Sequence, residues 1–233
     1  MEKEKPDYEE KRKAAIDGFV ERCDVDEEAS KRFDIEAENQ RLKRIAAELE
    51  ENYFKTSGVP QRYFSESLET YKTTPENEKV YKWILGFVQA VKNKQNKINI
   101  IYLSGKFGTG KTHLGCGMIR ALGGYIITSL ELCITYDSCR DFKADMTRIQ
   151  LLKKICKHKL FVIDEVGKGI PYIEKEIYPY IVNEFYGSGN LLVFLGNKSR
   201  EEFIDIIGEA GADRMREVGV YLSLIGDSCR TRN

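Results

Sequence analysis

The sequence predicts a three-layer α/β domain in which a parallel five-stranded sheet lies between two layers of helices. Two observations predict this fold. Short apolar runs alternate along the chain with stretches whose apolar residues recur at helical spacing, as expected of strands joined by crossover helices. A glycine-rich segment follows the first apolar run, and a pair of acidic residues follows the third. Because ligands of open parallel sheets bind beyond the carboxyl ends of the strands, both features mark that edge as functional.

The leading segment differs in composition from the rest of the chain. Of the 37 basic and 37 acidic residues, 12 and 17 lie within residues 1–60, so this segment is mildly acidic and the remainder mildly basic. Within it, residues 8–54 are charged and proline-free and carry two narrow apolar faces at helical spacing. We expect residues 1–60 to be a helical partner-docking segment with a linker, and residues 61–233 to be the α/β domain. A helical hairpin packed on itself and a disordered tail are the alternatives.

Composition also excludes several classes of protein. The six cysteines form no CxxC pair and no zinc-type cluster, which is typical of isolated thiols in a reducing compartment. The amino-terminal sequence MEKEKPDYEE is too charged for a signal peptide, and the chain has no 18-residue apolar run. We therefore expect a soluble, cytoplasmic protein without a membrane segment.

The α/β domain is expected to open with a helix at Thr74 and Pro75, an N-cap followed by proline in the first turn. An apolar stripe then predicts the face that this helix buries, and a short helix EEFIDIIG is expected before the last strand. A helix pair is expected within residues 130–159, and a helix containing Pro179 before the fourth strand. The predicted strands are residues 100–103, 125–128, 159–165, 191–197 and 219–226.

The segment IYLSGKFGTGKTHLG carries the first chemical signal, since it contains the pattern GxxxxGK[ST] between a strand and a helix. The glycines let successive backbone N–H groups point at phosphate oxygens, and the positive end of the following helix adds its field. Lys111 is expected to reach the β- and γ-phosphates of ATP, and the Thr112 hydroxyl to bind Mg²⁺. The domain is thus predicted to be a P-loop NTPase. The expected nucleotide-binding residues are Gly105, Lys106, Phe107, Gly108, Thr109, Gly110, Lys111, Thr112 and His113.

Polar residues at the ends of two later strands complete the predicted site. LFVIDE ends in Asp164 and Glu165, although two adjacent carboxylates are costly at the end of a buried strand unless a ligand uses them. Asp164 is expected to hold Mg²⁺ and Glu165 to act as the general base that polarises the attacking water. Asn197, at the end of LLVFLGN, is expected to orient that water or to contact the γ-phosphate; a turn-forming asparagine is the alternative.

The order GxxGTGKTHL, VIDEVG, a strand ending in Asn, GEAGADRMR and GDSCR resembles the DnaC/IstB family of AAA+ ATPases. The resemblance covers the chain from residue 57 onward and implies an AAA+ domain of the ASCE type, here without a carboxyl-terminal helical lid. Arg214 resembles the family's arginine finger, which acts in a neighbouring subunit, and Arg230 resembles its sensor arginine. Two departures are the phenylalanine at position 107, where the family often has proline, and the lack of a cysteine-bearing zinc module in the leading segment.

The resemblance further implies an ATP-hydrolysing helicase loader that binds single-stranded DNA and delivers a DnaB-type replicative helicase during DNA replication. The amino-terminal segment would bind the helicase, and the domain would self-associate through Arg214. The alternatives are an IstB-like transposition helper ATPase and, more distantly, a P-loop small-molecule kinase. Basic residues that follow phosphates and an aromatic ring that stacks on a base suit single-stranded DNA. The candidate DNA-binding residues are Arg140, Phe142, Lys143, Arg148 and Lys168.

Overall fold

The chain divides into two units, Met1–Asn52 and Tyr53–Asn233. In the first unit, the described residues are helical and exposed. The predicted role of residues 1–60 in partner docking, and the boundary at residue 60, stay predictions. The computed structural model describes residues 32, 36, 38–45, 48–49, 51–141 and 144–226.

The second unit alternates helices and strands in the predicted order. Its strands are β1 (Ile100–Gly105), β2 (Tyr125–Thr128), β3 (Leu160–Val166), β4 (Leu191–Gly196) and β5 (Gly219–Leu224). Its α-helices are α1 (Glu78–Lys92), α2 (Lys111–Leu122), α3 (Ser129–Ser138), α4 (Arg148–Ile155), α5 (Pro171–Ser188) and α6 (Arg200–Val218).

The five strands form one parallel sheet in the order β2-β3-β4-β1-β5. In the middle of the sheet, Tyr102 of β1 lies between Phe194 of β4 and Tyr221 of β5. This order makes β3, β4 and β1 consecutive neighbours, so their carboxyl ends meet at one edge. The predicted fold class is confirmed, and the three polar segments that follow these strands are brought together.

Apolar side chains cover both faces of the sheet and create the two helical layers. On one face, Ile101 and Leu103 of β1 pack with residues of α1 and α2 such as Ile84 and Met118. On the other, Tyr102 belongs to the cluster built by α3, α4, α5 and α6. Burial on both faces explains why the strands are continuous apolar runs rather than alternating ones.

Two predicted helices have different bounds in the structure. Helix α1 begins at Glu78, not at Thr74, because Thr74 and Asn77 close a turn in which the Thr74 N–H donates to Asn77 Oδ1 at 2.7 Å. Helix α6 runs on to Val218, whereas the sequence predicted only its first half. Gly208, with φ of 72°, breaks the helical geometry there, but a second helical stretch that carries Arg214 follows directly.

Candidate nucleotide-binding site

The loop between β1 and α2 has the backbone that the glycine pattern predicted. Gly108 and Gly110 have φ of 83° and 87°, in the left-handed region that glycine enters without steric cost. Gly110 is the N-cap of α2, and no described side chain caps this helix. The first backbone N–H groups of α2 therefore face the loop, where an anion can satisfy them.

Tyr71 supports this loop from outside, a contact that no sequence pattern predicted. Its hydroxyl donates to the Thr109 carbonyl oxygen at 2.9 Å and accepts from Asn77 Nδ2 at 3.1 Å. Its ring also lies directly beneath Gly110, where an added Cβ would come 2.5 Å from Tyr71 Cε2. The segment before α1 thereby fixes the curvature of the loop.

Gly110→Ala tests this packing. Both the positive φ and the contact with Tyr71 oppose a side chain, so we expect the free energy of unfolding to fall by more than about 1 kcal/mol and nucleotide binding to weaken. A denaturant melt and titration with a fluorescent ATP analogue measure the two effects. Gly86→Ala in α1 is the control, because its Cβ would enter open space. Equal behaviour of the two variants would contradict the proposed fit of the loop.

The two residues that begin α2 contact the phosphate loop and the acid pair. Lys111 Nζ donates to the carbonyl oxygens of Gly105 and Lys106, both at 2.7 Å, and so curls back over the loop. Thr112 Oγ1 donates to Asp164 Oδ2 at 2.7 Å. The structure thus joins the predicted metal-binding pair, Thr112 and Asp164, although they lie far apart in the sequence.

Asp164 is a buried acid, with 7% of its surface exposed. Burial raises the pKa of this carboxyl, and the hydrogen bonds from Thr112 Oγ1 and the Glu165 N–H counteract part of that rise. A cation beside it would favour the ionised form. Carboxylate and hydroxyl oxygens are the hard ligands that Mg²⁺ prefers, so the donors present fit that ion.

Glu165 follows directly but has a different environment. Its backbone φ is 60°, which is unusual for a residue with a side chain, and its side chain is exposed. Its carboxylate pairs with Lys168, with Oε1 and Nζ 2.8 Å apart. Lys168 Nζ also lies 4.7 Å from the centre of the Phe107 ring, a cation–π contact. Lys168, a candidate for DNA binding, thus lies at the phosphate loop and beside the predicted general base.

These groups line a cleft of about 430 Å³. Its lining includes the tip of the phosphate loop, the acid pair, and Asn197 from the end of β4. The lining residues that were not predicted include three with polar side chains, Tyr63, Lys198 and Glu202. In the sequence, Lys198 was indicated only by its place directly after Asn197, and no pattern indicated Tyr63 or Glu202. A second cavity of about 970 Å³ adjoins the loop through Lys106 and extends to the end of β5.

The remaining predicted residues lie elsewhere or outside the described residues. Arg214, on α6, is not among the described residues that line the cleft; it donates to the Ala210 carbonyl oxygen at 2.9 Å. Arg140 pairs with Asp137 at 3.2 Å, and Arg148 is held by the same carboxylate, also at 3.2 Å. Arg148 also packs over a tyrosine ring at 4.4 Å. Phe142, Lys143 and Arg230 lie outside the residues that the structure describes.

Within the described part of the chain, every helix is too short or too polar to span a lipid bilayer.

Comparison with known proteins identifies the family. A scan against models of protein families finds no match. The chain is, however, 30% identical over 207 residues to the replicative helicase loader DnaC of Escherichia coli (strain K12), which covers 85% of this chain and 80% of that protein. The chain belongs to the DnaC family of AAA+ helicase loaders.

Solved structures agree with the fold of this DnaC-family member. The crystal structure of the DnaC helicase loader matches with a TM-score of 0.60 and 21% identity, over 71% of this chain and 100% of that one. DnaA from Aquifex aeolicus, solved with AMPPCP bound, matches with a TM-score of 0.52 and 18% identity, over 71% of this chain and 51% of that one. At these identities the structural matches speak for the fold alone, which is the AAA+ core with the strand order described above.

Proposed function

We propose that this DnaC-family chain hydrolyses ATP, binds single-stranded DNA and delivers a DnaB-type replicative helicase during DNA replication. The observation that carries the proposal is the cleft of about 430 Å³, in which a phosphate loop, a Thr112–Asp164 pair, Glu165 and Asn197 converge. A small-molecule kinase has no need of a general base aimed at water. Membership in a helicase-loader family also separates this proposal from an IstB-like transposition helper.

In this proposal ATP binds with its phosphates on the loop and on the first N–H groups of α2. The AMPPCP bound in the related fold of DnaA, an analogue of ATP, supports this choice of ligand. Mg²⁺ would be held by Thr112 and Asp164 and, when bound, would neutralise phosphate charge. Lys111 would leave its two carbonyl acceptors for the β- and γ-phosphates, since a charged acceptor binds an ammonium group more strongly.

Glu165 is the proposed general base, because its exposed carboxylate lies in the cleft beside the phosphate loop. Asn197 would orient the attacking water from the neighbouring strand. Lys168 places a positive charge beside Glu165 through their 2.8 Å ion pair. In this proposal the Glu165 carboxylate would separate from Lys168, or rotate, before it polarises a water molecule.

Arg214 is proposed to act in a neighbouring subunit, with Arg230 as the sensor arginine of its own subunit. Two features support the role of Arg214. It does not belong to the described lining of its own cleft, and its buried Nε has no hydrogen-bond partner among the described residues. This Nε would gain a partner if the side chain turned outward to the γ-phosphate of an adjacent copy facing α6, so the domain would self-associate through this surface.

The proposed DNA-binding surface consists of Arg140, Phe142, Lys143, Arg148 and Lys168. Arg140 is its most available described cation, because 54% of its side chain is exposed while Arg148 exposes 23% and is engaged by two carboxylates. Arg148 would then mainly hold α4 against α3 and α5. The amino-terminal segment, residues 1–60, would bind the helicase in the cytoplasm.

ATP turnover by the purified full chain tests this function. We expect turnover to rise with single-stranded DNA, and to rise more than proportionally with protein concentration because active sites form between subunits. Immobilised full-length chain should capture a purified DnaB-type helicase. Turnover that responds to neither variable would favour a monomeric kinase. Capture of an IstA-type transposase without the helicase would favour the transposition helper.

A further inference from the structure

The backbone that carries Glu165 is irregular and needs external support. The pairing of β3 with β4 is regular up to Ile163 and resumes at Val166, so the acid pair lies in a bulge of the sheet. A bulge of this kind redirects side chains and is common beside active sites. Glu165 itself has φ of 60°, a conformation that a non-glycine residue keeps only when its surroundings impose it.

One buried carboxylate of the next helix contacts the loop that follows Glu165. Glu174, in the first turn of α5, has only 2% of its surface exposed. Its Oε1 accepts from the backbone N–H groups of Gly167 at 3.0 Å and Gly169 at 3.2 Å. A single oxygen thus fixes two backbone groups of the loop that runs from Glu165 to α5.

The same oxygen is fixed in turn by two buried hydroxyls. Ser129, the first residue of α3, donates to Glu174 Oε1, and the Tyr178 hydroxyl donates to Ser129 Oγ at 2.7 Å while its oxygen lies 3.4 Å from Glu174 Oε1. Both residues are fully buried. Burial and the neighbouring Glu174 carboxylate raise the pKa of Tyr178 well above its usual value, so its hydroxyl keeps the proton that it donates.

Space around the loop is equally restricted. An added Cβ at Gly169 would come 2.9 Å from Glu174 Oε1 and 2.9 Å from Cys133 Sγ, so the loop lies tightly against the buried polar group. Glu174, Ser129 and Tyr178 do not line the nucleotide cleft, within the part of the chain that the structure describes, whereas Gly167 of the loop does. Any influence of this carboxylate on the reaction therefore acts through the position of the loop.

We propose that Glu174 is the positioning residue of the Glu165 loop: its Oε1 fixes Gly167 and Gly169, and through them the direction of the Glu165 carboxylate. The proposal rests on the proposed function, in which Glu165 is the general base. Since one oxygen accepts the hydrogen bonds from Gly167, Gly169 and Ser129, the requirement is for an acceptor at that point. Glutamine can supply it and methionine cannot.

The test compares Glu174→Met, Glu174→Gln and Gly169→Ala, each in the native chain and combined with Glu165→Gln. In the native background, Glu174→Met and Gly169→Ala should lower kcat by about 10- to 100-fold, because small misplacements of a reacting group have effects of that size. KM for ATP and the Kd of a fluorescent ADP analogue should change by less than about 2-fold. Glu174→Gln should keep most of the activity. In the Glu165→Gln background, none of the three should reduce the residual turnover further.

Several results would overturn the proposal. They are an equal fall of kcat in both backgrounds, a parallel loss of ADP binding, or a glutamine variant as inactive as the methionine one. If Glu174→Met fails to fold, Gly169→Ala tests the proposal in its place. Gly187→Ala in α5 is the control for Gly169→Ala, because a Cβ at position 187 would meet no other atom within 4 Å. A native chain without ATP turnover, or a fully active Glu165→Gln, would instead reject the proposed function, and both are measured first.

Discussion

Replacing Glu165 by glutamine is expected to lower ATP hydrolysis by about 10²-fold or more while leaving ATP binding intact, since a general base contributes on that scale. The amide cannot take a proton from water, but it keeps the size and hydrogen-bonding shape of the side chain. Stability should hardly change. The lost ion pair with Lys168 is half exposed, and exposed pairs contribute only about 0–1 kcal/mol. Steady-state turnover and titration with a fluorescent ATP analogue measure the two quantities.

Lys111→Ala is the matched comparison for this variant. Lys111 lies over the phosphate loop, so its loss should abolish nucleotide binding rather than only the chemical step. The two variants should therefore fail in different assays. Normal hydrolysis by Glu165→Gln would mean that the acid pair has been assigned the wrong role, whatever the outcome for Lys111→Ala.

Arg214→Ala should lower turnover by about 10³-fold or more, the scale reported for an arginine that neutralises charge in phosphoryl transfer. ATP binding should stay close to that of the native chain, because Arg214 is absent from the described lining of its own cleft. The loss should thus appear in kcat at saturating ATP. Arg216→Ala, on the same helix and paired with Asp213 at 2.7 Å, is a matched control expected to stay active.

Mixing Arg214→Ala with Lys111→Ala separates action in a neighbouring subunit from action within one chain. Each mutant alone is inactive, but a mixed interface can join an intact phosphate loop to an intact arginine. Some turnover should return, with a maximum at intermediate mixing ratios. Absence of rescue at every ratio would argue that Arg214 has a structural role or that the protein acts as a monomer.

The sequence by itself determined the fold class and predicted the residues of the candidate nucleotide cleft. Strands buried on both faces must be apolar throughout, so runs such as residues 191–197 were recognisable without any tertiary information. Glycines, which adopt positive φ without steric cost, indicated the phosphate loop. Polar residues directly after the apolar runs indicated Asp164 and Asn197. These features are local, because each depends on a few consecutive residues.

Only the tertiary structure decided which distant groups meet. Strand order brought Thr112 to within 2.7 Å of Asp164, and packing placed Tyr71 beneath Gly110. It also placed a buried glutamate, Glu174, with Ser129 of another helix behind the loop that carries the proposed base. No pattern of spacing reports such contacts, because hydrogen bonds between elements depend on how helices pack on the sheet and not on the distance between residues in the chain.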